Sequence, residues 1–267
     1  MVKIDCLTYI TGYPYEVFER FVGSLYDTGF SGNVFMICKQ TDIPHMERLQ
    51  HTYPNVIPIV DNSQINTTPN NHRFYVFQSF MNRYNLSCDY ILVCDSRDVL
   101  FQKNIETYPF DTTIDLYGFY ENKKYYEEPN WNIPWILHVE RLINKELYKY
   151  IKYSNILCSG TTIGKPSAIR KYLDCMCAIL HTNDTLNMIM DQGIHNYIFH
   201  FNVLNVSTKC LYNDDNLVNT VGFDVHELNE ENKIVNSKKE VSYIVHQYDR
   251  FSNEKKRAIS SKYNFIL

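Results

Sequence analysis

Paired carboxylates stand at the end of one apolar run. Tyr90-Ile-Leu-Val-Cys94 leads straight into Asp95-Ser96-Arg97-Asp98. A buried strand ending in two acids places them where open α/β sheets bind ligands. Close carboxylates repel, so they favour a cation between them, and hard oxygen ligands suit Mg²⁺ or Mn²⁺, which can bridge a diphosphate. The bland alternative is that Asp98 caps a turn while Asp95 pairs with Arg97 or another base. Late in the chain, the mostly apolar run Val241–Val245 ends on His246. A strand there would hold the imidazole at a sheet edge, able to complete a carboxylate–metal site. A hydrogen-bonded core histidine is the other reading.

The elements that must position these residues follow from apolar spacing. Ile4–Ile10, Asn33–Cys38, Val56–Val60 and Tyr90–Cys94 read as strands. Tyr15–Tyr26, Pro44–Leu49 and Asn71–Tyr84 read as helices, the first with Val17, Phe18, Phe21, Val22 and Leu25 on one face. Strand and helix in alternation predict an α/β fold: a mostly parallel central sheet with helices on both faces. The first strand exits through Thr11-Gly12-Tyr13-Pro14, without the glycine pattern of a dinucleotide fold or P-loop. The second half is less regular. Tyr125–Trp135 reads as an ordered loop, Asn155–Ile163 as a strand, Ser167–Leu180 as a helix capped by Ser167, and Asp191–Phe201 as another helix. The tail from Arg250 to Lys262 is basic. No linker or repeat divides the chain, so a single domain over residues 1–267 is expected.

Composition narrows the classes. The 267 residues are 45% apolar and 21% charged, with 26 basic and 30 acidic side chains giving a net charge of −4. Nucleic acid and anionic lipid are therefore poor first partners. No run approaches the roughly 18 apolar residues of a membrane helix. The opening segment lacks the basic and apolar parts of a secretory signal. Of eight cysteines, Cys6, Cys38 and Cys94 fall inside apolar runs, which predicts reduced, buried thiols in a cytoplasmic protein. Richness in Asn, Ile, Lys and Tyr points to an AT-rich genome, such as that of a protist or large virus; in the latter case a viral factory or virion would be the location.

With these motifs in hand, the chain resembles the GT-A-fold, nucleotide-sugar-dependent glycosyltransferases. Members carry a DxD-type motif after an apolar strand, which Tyr90–Phe101 matches with one departure: in Asp-Ser-Arg-Asp the second acid comes three positions after the first. Ser159-Gly160 within Asn155–Gly164 is similar to the segment that closes around the donor sugar. Asp191-Gln192 and Asn196 resemble the helix start of glycogenin-like members, and His246 stands where those members place a third metal ligand.

The resemblance implies transfer of a sugar from a nucleotide diphosphate sugar, a UDP-sugar favoured, to a hydroxyl on a glycan, protein or small molecule. It assigns Asp95, Asp98 and His246 to Mn²⁺ (or Mg²⁺). Asp191 would meet sugar hydroxyls or developing positive charge, or simply cap its helix, and Gln192 would bond a sugar hydroxyl; their pairing leans toward retention. Thr8 and Tyr13 lie where this fold seats the nucleotide base, Tyr13 by stacking. Asp61 would accept from that base, and Arg73 would meet the donor; Tyr13 and Asp61 also read as ordinary turn residues, and Arg73 as a solvated helix residue. Arg250, Lys255, Lys256 and Arg257 could approach the diphosphate or form a solvated helix face. Trp131 and Trp135 mark an acceptor candidate, or pins that fix a loop to the core. Residues 1–103 would form the half that binds donor and 104–267 the half that binds acceptor, with a smaller lobe on the acceptor side. Two alternatives stay open: a nucleotidyltransferase, disfavoured by the poor loop after the first strand, and a binding or scaffold protein on an inactive fold.

Overall fold

The computed structural model describes residues 1–182, 188–223 and 226–259. The expected alternation forms in its first part: β1 (Ile4–Tyr9), α1 (Tyr15–Asp27), β2 (Val34–Cys38), α2 (Ile43–Thr52), β3 (Val56–Val60), α3 (Pro69–Arg83) and β4 (Tyr90–Cys94). β1 pairs in parallel with β2 and β4, and β2 with β3. Alternate strand residues point to opposite faces. Thus Leu7, Phe35, Ile37, Ile91 and Val93 join a cluster with Phe74, Phe77 and Phe80 of α3. Cys6, Met36, Cys38, Leu92 and Cys94 join another with Phe18, Phe21 and Leu25 of α1 and Met46 and Leu49 of α2. Parallel strands need both faces covered, and these helices cover them. Each buried Phe or Leu contributes about 1.5–3 kcal/mol, so the two clusters hold the frame that presents the acids.

Beyond β4 come β5 (Val99–Phe101), β6 (Leu116–Lys124), α4 (Asn132–Ile143), α5 (Tyr148–Ile151), β7 (Asn155–Leu157) and β8 (Thr161–Gly164). Then follow α6 (Pro166–His181), α7 (Asp191–His200), β9 (Thr208–Leu211), β10 (Val218–Thr220), β11 (Glu227–Leu228), β12 (Ile234–Val235), β13 (Ile244–His246) and α8 (Asn253–Ile259). The main sheet has the order β3-β2-β1-β4-β8-β6-β7, with β9 beside β6. β8 runs antiparallel to both β4 and β6, and β7 antiparallel to β6. The other strands share one direction, so the sheet is mostly parallel. A small second sheet, β10-β13-β5, sits next to the ends of β4 and β8 and matters for the site.

Several expectations need correction. Tyr125–Trp135 is not a loop: a short 3-10 turn leads into α4, and Trp135 lies within that helix. Pro134 sits in its first turn, where the missing N–H goes unused. Asn155–Ile163 is two strands, broken at Cys158–Gly160. Ser167 does not cap α6; Lys165 holds the cap position and Pro166 the first helical one. Of the basic tail, α8 carries Lys255, Lys256 and Arg257, while Lys262 lies outside the described residues. All eight cysteines are free, and Cys6, Cys38 and Cys94 are buried. Among the described residues no helix is long and apolar enough to cross a membrane.

Candidate active site

Two strand pairings bring the acids and the histidine together. β4 and β8 align Cys94 with Thr161, and the next amide, Asp95 N–H, donates to Gly160 O at 2.8 Å. β5 and β13 align Val99 with His246, and Gln247 N–H donates to Asp98 O at 2.8 Å. One carboxylate therefore comes from each side of the Ser96–Arg97 turn, with the imidazole between. His246 Nε2 lies 3.5 Å from Asp95 Oδ2 and 3.8 Å from Asp98 Oδ2. One ligand atom from each of the three residues falls within 4.8 Å of the others.

The donor set fits a divalent cation. His246 is 1% exposed, and its Nε2 has no hydrogen-bond partner. Buried nitrogens seldom lack one, and this nitrogen faces two carboxylates. Its Nδ1 contacts Cys158 Sγ at 3.5 Å, so the ring is fixed from behind. Burial pushes its pKa down, but Cys158 and Asp98 outweigh this and raise it overall. Gly160 completes the cradle: a Cβ there would collide with the His246 ring and the Asp95 carboxylate. Two hard carboxylates and one borderline imidazole nitrogen are a mixed set of a kind that can hold a divalent cation.

Beside this group runs a chain of polar contacts. Arg73, 8% exposed on α3, pairs with both Asp95 and Asp191, reaching Asp191 Oδ2 at 2.7 Å. Ser159 Oγ donates to the same Oδ2 at 2.8 Å. Asp191 is thus the first residue of α7 but not its cap; its side chain turns into the cleft wall. Gln192 Nε2 donates to Asn132 Oδ1 at 2.8 Å and, more weakly, to Glu121 Oε1 at 3.4 Å. Its Oε1 then faces Ser159 N–H at 3.5 Å. Glu121 is 2% exposed on β6, and burial raises its pKa.

A cleft of about 450 Å³ collects Tyr13, Arg73, Asp95, Asp98, Ser159, Gly160, Asp191, Gln192 and His246. Two other predicted residues are not brought into it. Thr8 is wholly buried and donates to Cys94 O at 2.8 Å, so its hydroxyl serves the sheet. Asp61 sits behind the wall, bonded to Lys39 Nζ at 2.7 Å and His72 Nε2 at 2.8 Å. Of the tail cations, Arg250 lines the cleft, whereas Lys255 donates to His226 O. Sequence reasoning missed Glu121, Asn132, Cys158 and Gln247. A usable signal existed for one of them: Tyr117, Phe119 and Glu121 alternate on β6, placing an acid at an inward position.

No protein-family model and no curated protein matches the sequence. Solved structures do. The chain aligns with a galactosyltransferase, LgtC, in complex with donor and acceptor sugar analogs, over 98% of this chain and 97% of that one, at a TM-score of 0.60 and 11% identity. It aligns with mouse xyloside xylosyltransferase 1 over 82% and 88%, at 0.52 and 12%. The glycosyltransferase GlyE of Streptococcus pneumoniae aligns over all of this chain and 61% of its own, at 0.57 and 13%. At such identities the likeness is one of fold. The chain has the GT-A glycosyltransferase fold.

Proposed function

We propose that the chain is a metal-dependent glycosyltransferase that moves a sugar from a nucleotide diphosphate sugar, a UDP-sugar by preference, to a hydroxyl acceptor. One observation carries the reading: on a GT-A frame, Asp95, Asp98 and the unpartnered Nε2 of His246 converge at the head of one cleft. Asp95, Asp98 and His246 would hold Mn²⁺ or Mg²⁺, which when bound neutralises charge on the leaving diphosphate.

The chain's own residues do the rest. Tyr13, 37% exposed at the cleft, offers a ring face to the nucleotide base. Arg250 lends a guanidinium to the diphosphate. The Ser159–Gly160 bend leaves room for the sugar beside Asp191. In the reaction the bond from the anomeric carbon to the diphosphate oxygen breaks, a bond to the acceptor oxygen forms, and the acceptor proton leaves with the diphosphate or to water. Gln192, with its amide N–H groups engaged by Asn132 and Glu121 and one side of its carbonyl met by Ser159 N–H, would offer the remaining carbonyl lone pair to the positive charge that grows on the anomeric carbon. The pairing of Asp191 with Gln192 in the cleft wall leans the reading toward retention.

The test is release of free nucleoside diphosphate from a panel of sugar nucleotides with Mn²⁺, with and without a chelator. At least one donor should yield metal-dependent release. Pyrophosphate release would mean nucleotidyl transfer instead, and silence with every donor would overturn the proposal.

A further inference from the structure

The chain's only two tryptophans stand four residues apart at the lip of the cleft, and one of them is largely in water. Trp131 is 64% exposed, while Trp135 lines the cleft itself. Their ring centroids lie 6.2 Å apart with planes inclined at 40°. The placement is built from buried parts. Glu128, 7% exposed, has one oxygen, Oε2, that accepts from Trp131 N–H at 3.1 Å, Asn132 N–H at 2.9 Å and Asn132 Nδ2 at 3.3 Å. A single carboxylate oxygen thus fixes the first turn of α4 and holds Trp131 outward. The same turn is tied to the site, because Asn132 Oδ1 accepts from Gln192. Gly193 permits the approach: a Cβ there would stand 3.0 Å from the Trp135 carbonyl.

Rings of this size in water are unfavourable unless something covers them. Trp131 stands against Trp135, and Trp135 in turn lines a cleft whose other walls are largely polar. Sugar rings match that mixture, since their C–H faces stack on aromatics while their hydroxyls need polar partners. We propose that Trp131 and Trp135 form a two-step platform for a saccharide acceptor of at least two rings. The terminal ring lies over Trp135 with its reacting hydroxyl toward Gln192, and the next ring lies on Trp131 outside the cleft. This inference rests on the transferase reading for its direction, but its test does not depend on turnover.

Because no other tryptophan is present, intrinsic fluorescence reports the platform directly. Gluco-, galacto-, manno- and xylo-oligosaccharides of one to six rings would be titrated against the full chain, and Mn²⁺ with UDP would be titrated separately by calorimetry. At least one series should shift the emission saturably, with affinity rising from one ring to two. Trp131→Ala should weaken that series about tenfold from two rings upward. Trp131→Phe should recover most of the loss, while the thermal midpoint stays unchanged. Three results would each overturn the platform: no series binds, affinity does not rise with chain length, or Trp131→Ala binds as wild type. A protein acceptor would give the first of these. Failure of Mn²⁺ to bind, with UDP or with any other nucleoside diphosphate of the donor panel, would instead remove the transferase reading, whatever the sugars do.

Discussion

Asp61 and Asp95 occupy equivalent places in the sheet and have different fates. Each follows directly on the C-terminal end of a parallel strand, β3 and β4, and each meets cationic side chains. Asp61 is closed in by Lys39, His72 and Ser63. Burial alone would raise its pKa, but those bonds outweigh it and hold the carboxyl well below the usual range. Asp95 shares Arg73 with Asp191, yet its Oδ2 still points at a histidine nitrogen that has no partner. Strand-end position alone therefore does not make a site. What separates the two is whether the surrounding groups already satisfy the charge or turn several metal-ligating atoms toward one another.

The comparison can be broken most sharply at Asp98. Asp98→Ala should abolish Mn²⁺-dependent UDP binding and weaken Mn²⁺ by at least about tenfold with the fold retained, as read by calorimetry and circular dichroism. Wild-type affinity in that variant would remove the metal assignment. Arg73→Met comes next. Removing a buried cation shared by two acids should lower stability by about 3–5 kcal/mol in urea melts. It should also tighten Mn²⁺, because a competing charge leaves Asp95. Weaker Mn²⁺ binding would mean that Arg73 helps to build the cation site instead of competing with it.

Asp61→Asn sharpens the contrast from the other side. Losing charge-assisted bonds there should lower stability by about 1.5–3 kcal/mol while Mn²⁺ affinity stays at the wild-type value. Any large fall in Mn²⁺ affinity would blur the distinction drawn above. The smallest effect is its pH dependence. A depressed folded pKa means stability that is present above the unfolded carboxyl value, near about 4, and lost as pH falls toward the folded one. The stability gap between wild type and Asp61→Asn should hold constant near neutrality and close below about pH 4. A gap that persisted unchanged at pH 3 would show that the Asp61 charge is not what the fold uses.

Legibility in the sequence tracked locality. β1 to β4 and their helices could be read because each element carries its own period, and Cys6/Leu7 or Ile91/Leu92 show the two faces within a few residues. β5 could not, and although the apolar run Val241–Val245 marked the strand that ends on His246, its pairing with β5, which aligns Val99 with His246 across the chain, left no local mark. Asp95, Asp98 and His246 were legible as chemical types and through a family resemblance. Asn132 and Cys158 were not, because what marks them is a neighbour, Gln192 for the first and His246 for the second, while Glu121 carried only the inward alternation of β6. Thr8 and Asp61 failed to reach the cleft for the same reason. Their types fit a site, but nearer partners had already engaged them.

The pairing of β5 with β13 also sets when the proposed cation site can assemble during synthesis. Asp98 and His246 are 148 positions apart (246 − 98), so the acids leave the ribosome long before the imidazole. At ordinary translation rates that interval is on the order of ten seconds. Throughout it, β4 can pair with β1 and pack on α1, while the acids lack both their histidine and the strand that aligns Asp98. Gly160 arrives midway and closes one side. The nascent chain therefore acquires a sheet first and the proposed cation site last, and a ribosome stalled between β9 and β13 would carry a complete main sheet without the imidazole of that site.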